Sequence, residues 1–287
     1  MRHPLLFVLT LLPLSAMAEV PRVVTDFAPI DALVRQVMGD LGAPTMLLPA
    51  GGDPHDFQMR PSQAQALAGA DLVFWDGPEL MPGLAEAMDT LVVQGRIVAL
   101  LHDGGGKLRM FDGGAGTDPH AWLAPPNAVA WLGTIAGELA QKDPANAATY
   151  RANAAAAQAQ IQALDGELAT LLAPARGVPI VVFHDAFGYF ADHYALDIVG
   201  AIELGDAAPP SAAQLRDIRS LIAEKRAVCV FPEAGRDPKF IETVVGDSPV
   251  RIGAGQDPEA LGLTPGPGLY AMLLRALAKT IADCVGG

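Results

Sequence analysis

DPANAATYRANAAAAQAQIQALDGELATLLAP, residues 143–174, is the stretch on which the fold turns. Asp143 is a good N-cap residue, and Pro144 suits a first helical turn, where a missing N–H costs nothing. From there to Leu172 the residues are mostly Ala, Gln, Leu and Glu, all strong helix formers, with one glycine at Gly166. Pro174 ends the run. About 29 residues rising ~1.5 Å each would span roughly 43 Å. Ile161, Leu164, Leu168 and Leu171 make a stripe at helical spacing. The pattern predicts one long helix that bridges two domains. Such a bridge resists the wide hinge motion that two or three flexible crossings allow.

The segments on either side of this helix are alike. Each opens with a β-rich run and a helix: 22–27 then 28–40 in the first, 179–184 then a helix to about His193 in the second. Each later has a Pro-Ser helix start that leads to a strand. These are Pro61-Ser62-Gln63-Ala64 before residues 71–75, and Pro210-Ser211-Ala212-Ala213 before residues 227–231. Runs such as Ile180-Val181-Val182-Phe183 are continuously apolar, as in parallel strands buried on both faces. Strands alternating with helices imply α/β units with right-handed crossovers. The expected fold class is α/β: two similar lobes with mostly parallel sheets, joined by one long bridging helix, with a metal site in the cleft between them. The expected boundaries are a signal peptide at 1–18, an N-terminal α/β lobe at 19–142, the bridging helix at 143–174 and a C-terminal α/β lobe at 175–287.

Residues 1–18 carry an address. Arg2 and His3 form a basic start, an apolar run covers 5–14, and Ala16-Met17-Ala18 supplies the small-x-small pattern of a signal-peptidase site. The apolar run is too short to span a bilayer, no cysteine lies near the cut for a lipid anchor, and a mature chain starting at Glu19 is expected in the periplasm. A buried N-terminal helix is the alternative. With 19 Lys and Arg against 32 Asp and Glu, the net charge is −13, which repels phosphate backbones and argues against nucleic acid. Solubility alone would also account for it. The chain's two cysteines are Cys229 and Cys284. In an exported protein an isolated pair is expected to form a disulfide; two buried free thiols are the alternative. A thiolate metal site is disfavoured, because there is no third cysteine or CxxC spacing.

Two histidines sit in the same tripeptide, Asp53-Pro54-His55 and Asp118-Pro119-His120, and His184 closes the strand 179–183. Proline fixes its own φ and restricts the residue before it, so a His behind Asp-Pro has less freedom to lose on binding. A neighbouring Asp can orient an imidazole through its second nitrogen. His55, His120, His184 and Asp257, in Gly255-Gln256-Asp257-Pro258, all lie just beyond carboxyl ends of expected strands, where open α/β sheets bind ligands. Three imidazoles and a carboxylate suit tetrahedral Zn(II). Any of these taken alone would more often be a solvent-exposed or capping residue; the joint pattern across both halves carries the reading. His102 starts the glycine-rich stretch 103–116 and is read as mobile, while His193 lies on a helix beside Tyr194 and is read as half-buried structure. Glu233 is either a neighbour of the site or a surface residue. Asp56 and Asp185 either support an imidazole or cap a helix, with capping favoured for Asp185.

The motifs Pro54-His55-Asp56-Phe57, Asp118-Pro119-His120-Ala121-Trp122-Leu123 and His184-Asp185-Ala186-Phe187-Gly188-Tyr189-Phe190 resemble those of the zinc-type solute-binding proteins of bacterial ABC importers. The resemblance covers essentially the whole mature chain. It implies His55, His120, His184 and Asp257 as metal ligands, a disulfide like Cys229–Cys284, an ABC importer membrane permease as partner, and no enzymatic activity. Manganese-type relatives carry a glutamate where this chain has His184. Many zinc-type members have a long His- and acid-rich loop before the second ligand; here that region, 103–117, is rich in glycine, which argues against an auxiliary capture site. A periplasmic metallochaperone is a second candidate partner, and a monomer is expected. The alternatives are a manganese or iron carrier of the same fold, a secreted zinc hydrolase that would leave one metal position to water, and an adhesin, which needs no converging histidines.

Overall fold

Val23, Val24 and Thr25 are β-branched and fully buried, which suits an interior strand, and they form β1 (Val23–Thr25). The computed structural model describes residues 19–91, 94–114, 116–203 and 210–287, without the side chain of Asp56; the expected signal peptide lies outside the described residues. β1 pairs in parallel with β2 (Thr45–Met46) and β3 (Leu72–Trp75), and β3 pairs with β4 (Arg96–Ala99), in the order β2-β1-β3-β4. A second parallel sheet repeats that order as β6-β5-β7-β8, from β5 (Pro179–His184), β6 (Asp197–Glu203), β7 (Cys229–Val230) and β8 (Arg251–Ile252). In each sheet the chain leaves the first strand to one side and returns on the other. The loops beyond these strand ends therefore diverge and leave a crevice. The α/β architecture with two parallel sheets is the one expected from the sequence.

The helices are α1 (Ala28–Met38), α2 (Pro61–Ala68), α3 (Pro82–Leu91), α4 (Leu100–Asp103), α5 (Pro125–Lys142), α6 (Ala147–Leu171), α7 (Gly188–Tyr194), α8 (Ala212–Lys225), α9 (Lys239–Val245) and α10 (Leu269–Gly286). Both Pro-Ser sites begin helices. At α8 the Ser211 hydroxyl accepts the Gln214 N–H while the Gln214 side chain accepts the Ser211 N–H, a reciprocal cap.

The bridging helix is α6, 25 residues or about 38 Å. Its first expected turn is a tighter 3₁₀ turn over Pro144–Asn146, held by the Asp143 carboxylate, which accepts from the Asn146 backbone and, at 2.9 Å, from the Tyr150 hydroxyl. The buried stripe runs Tyr150, Ala154, Ala157, Ile161, Leu164, Leu168 and on to Leu172. Leu171, expected in that stripe, is 37% exposed, because four residues beyond Leu168 the inward position is Leu172.

α6 packs against α1 and α5 from the first half and against α10 from the second. α10 buries Leu269, Leu273, Leu274, Leu277 and Ile281 and also touches α1, so the C-terminal helix lies on the first half. One apolar core therefore runs from the first sheet through these helices to Ile180, Val182, Cys229 and Phe231. The alternate residues Val181, Phe183 and Val230 belong to a separate core with Ile218 and Val244, as the two-residue period of a strand requires. The Cys229–Cys284 disulfide joins β7 to the end of α10. No helix among the described residues is long and apolar enough to cross a membrane.

Candidate metal centre

His184 is the last residue of β5, so the sheet fixes its backbone; its side chain is 1% exposed. His55 sits in a 3₁₀ turn, Pro54–Asp56, whose start is pinned by the Asp53 carboxylate accepting the His55 N–H at 3.0 Å. Asp118 does the same for His120, at 3.0 Å, and the same oxygen also takes the imidazole Nδ1–H at 2.8 Å. That bond fixes the tautomer and turns Nε2, buried and without a hydrogen bond, away from Asp118. Trp122, fully buried two residues on, donates its indole N–H to the Pro258 carbonyl at 2.9 Å, and its own carbonyl accepts the Tyr270 hydroxyl at 2.8 Å. The Asp-Pro-His-Ala-Trp-Leu motif is thus tied directly to the segment 256–262 of the other half.

That tie brings Glu259 into the centre. His55, His120, His184 and Glu259 each offer one donor atom, and these atoms lie within 4.8 Å of one another. The ring centroids of the histidines are 4.9–5.9 Å apart. Glu259 Oε1 stands 3.5 Å from His184 Nδ1 and 3.8 Å from His55 Nε2. Burial opposes ionisation of Glu259, but His184 and His55 outweigh it and hold the carboxyl below the ordinary range. Burial pushes the His120 imidazole below its ordinary value, partly offset by Asp118. Glu233, 3.7 Å from His184 Nδ1, is pushed up to about 8 by its own burial and then by the charge of Glu259. Of Glu233 and Glu259, the charged form is therefore favoured at Glu259. Beyond Glu233, the Arg236 guanidinium lies 3.2 Å from Glu233, 3.7 Å from Glu203 and 3.6 Å from Asp53.

Asp257, expected from the sequence as the fourth ligand, lies outside this group, and Glu259 lies within it. The two Asp257 oxygens accept the backbone N–H groups of Leu261, at 2.7 Å, and Gly262, at 2.8 Å. The carboxylate holds a turn, and Glu259, two residues on, faces the cleft. A sequence signal for this was present. Of the five Asp-Pro-x tripeptides in the sequence, Asp257-Pro258-Glu259 is the third that ends in a residue able to ligate a metal, beside Asp53-Pro54-His55 and Asp118-Pro119-His120. In all three the aspartate accepts at least one backbone N–H a few residues on, and the third residue is presented. His102 bonds Glu79 at 2.8 Å, and His193 bonds Asp165 of α6 at 2.7 Å, so both are structural. Phe187, not Asp185, precedes α7 as its cap position. Asp185 is pushed up to about 6 by burial and then by Asp118.

Two α/β halves that bring buried donors together at facing strand ends form a cleft-type binding protein. Over residues 23–284 the chain matches the family model of the periplasmic component A of zinc-uptake complexes, and it belongs to that family. A Paracoccus denitrificans relative, high-affinity zinc uptake system protein ZnuA, is 50% identical over 95% of this chain and 94% of its own. The manganese-binding lipoprotein MntA of Halalkalibacterium halodurans is 29% identical, over 84% of this chain and 80% of its own. The crystal structure of a zinc-bound ZnuA with residues 138–173 deleted matches with a TM-score of 0.80 at 27% identity, covering 92% of this chain and 98% of that one.

Proposed function

We propose that this protein captures one Zn(II) ion with His55, His120, His184 and Glu259 and delivers it, in the periplasm, to the membrane permease of an ABC importer. The observation that carries the reading is the convergence of three imidazoles and one carboxylate, side chains that are each almost wholly shielded from solvent, on one point between the halves. Tetrahedral zinc takes nitrogen and oxygen donors at about 2.0–2.2 Å, so a small inward movement of these side chains would close on the ion. The buried Nε2 of His120, already turned away from its partner Asp118, fits a metal better than it fits apolar surroundings. Four protein donors leave no position for a reactive water, which favours capture and transfer over hydrolysis. Three nitrogens with one carboxylate are softer and less negative than the oxygen-rich sets that manganese prefers. On this reading the chain acts as a monomer, exported through the signal peptide at 1–18, and a periplasmic metallochaperone is a second candidate partner.

Metal-stripped protein titrated with zinc is expected to bind one tight equivalent, read by mass spectrometry of the retained metal. Zinc is expected to displace manganese in direct competition. A second tight equivalent, or manganese outcompeting zinc, would overturn the assignment.

The acid limb of binding follows from the imidazoles. A free imidazole protonates near pH ~6.5, and metal binding requires the neutral form. Burial lowers the His120 value, which keeps that ligand neutral at pH 7 and moves its protonation to lower pH. Zinc affinity is therefore expected to be level above pH 7 and to fall steeply below about pH 6 as protons compete for three sites. A constant affinity between about pH 7 and 5 would count against three imidazole donors.

A further inference from the structure

Arg109 touches both halves of the molecule beside the metal centre. Its Nε lies 3.1 Å from Asp192 Oδ2 on α7, Nη1 3.2 Å from Asp118 Oδ2 and Nη2 3.1 Å from Asp112 Oδ1. Its backbone N–H donates to the Tyr189 hydroxyl at 2.8 Å, and that hydroxyl donates to the Asp118 carbonyl at 3.1 Å. The guanidinium lies flat against Gly188, the first residue of α7, where a Cβ would stand 2.4 Å from it. The other oxygen of Asp118 holds the His120 imidazole. One fully buried carboxylate is thus gripped by Arg109 on one side and grips a metal donor on the other.

A metal held by donors from both halves leaves only when those donors separate. Moving β5 and α7 away from the 118–123 turn breaks the Asp192 and Tyr189 contacts of Arg109 together. We infer that Arg109 is a positioning residue that clasps α7 to the Asp118–His120 turn and so sets how fast the metal enters and leaves. This rests on the metal-site reading above. The clasp adds no donor, and its own positive charge does nothing to attract a cation. Its effect is therefore on both rates more than on their ratio.

The test is stopped-flow release of zinc from the loaded full chain into excess chromophoric chelator, with the association rate measured in parallel. Asp192 is 66% exposed, so Asp192→Asn spares the fold while detaching the clasp from α7. It is expected to speed release by about two- to five-fold, the scale of one exposed ion pair. Arg109→Ala should speed it by about ten-fold or more, since the partner Asp118 is buried and orients a ligand. Arg109→Lys should fall between wild type and Ala, and it carries the test if the Ala variant does not fold. In each case association speeds up as well, so the equilibrium constant changes less than either rate. The double variant Arg109→Ala with Asp192→Asn should release no faster than Arg109→Ala alone, because Asp192 acts through Arg109. Wild-type rates in Asp192→Asn and in the Arg109 variants, or additive effects in the double, would overturn the clasp. Wild-type protein that retains no zinc would instead overturn the site reading. The clasp is then decided on metal-free protein by hydrogen exchange of the Arg109 and Asp118 amides, which should quicken in Asp192→Asn and would refute the clasp by staying unchanged.

Discussion

Glu259→Ala is expected to weaken zinc binding by on the order of a hundred-fold or more, while Asp257→Asn leaves it near the wild-type value. Glu259 is the one carboxylate among the four proposed donors and the group that His184 and His55 both approach. Removing it takes away a bond to the metal and the negative charge that offsets the dication in a site closed to water. Asp257 has neither role, since both its oxygens are spent on the Leu261 and Gly262 N–H groups. An asparagine there keeps one acceptor and loses the other, a cost of about 1 kcal/mol in stability. Competition with a chelator of known affinity, paired with thermal unfolding of the metal-free variants, separates the two effects. Glu259→Gln, which keeps the shape and removes the charge, guards against a folding artefact. If Asp257→Asn were the variant that lost zinc, the fourth donor would return to Asp257.

Breaking the disulfide should have the largest effect on stability. Cys284→Ser, or reduction, opens a loop of 55 residues, worth about 4 kcal/mol in the chain-entropy model. For a chain of this size that corresponds to a fall in Tm of about 10 °C. The bridge joins β7 to the end of α10, and α10 is the helix that crosses to pack on α1 and α6. Its loss therefore loosens the contact between halves as well as the second sheet. Zinc stoichiometry should not change, because neither sulfur belongs to the donor group. Thiol counting on denatured, unreduced protein should find none; two reactive thiols would refute the bridge.

Much of this molecule was legible because it is locally encoded. The Ala-, Gln- and Leu-rich run behind Asp143-Pro144 makes a helix by intrinsic preference, and the apolar runs 72–75 and 180–183 can bury both faces only inside parallel sheets. His55, His120 and His184 were legible for the same reason, since Asp-Pro or a strand end fixes each backbone within a few residues. β6 was not singled out. Its Asp197 end is exposed and it carries Gly200, so it lacks the continuous apolar signature of β5. Leu171 was placed inward and Leu172 faces the core, because the phase of a helix end depends on the neighbours it meets. The docking of α10 on the first half was invisible, since an apolar helical face does not name its partner. The sequence by itself determined the α/β repeat, the long bridge and the local backbone of three of the four residues proposed as donors, all products of backbone preference over a few residues. Only the tertiary structure decided that Glu259 and not Asp257 faces the cleft. That choice depends on Gln256 N–H reaching the Pro232 carbonyl, on Pro258 receiving the Trp122 indole and on Asp257 closing its own turn. Two of those three bonds join segments far apart in the chain and form only once the fold has brought them together.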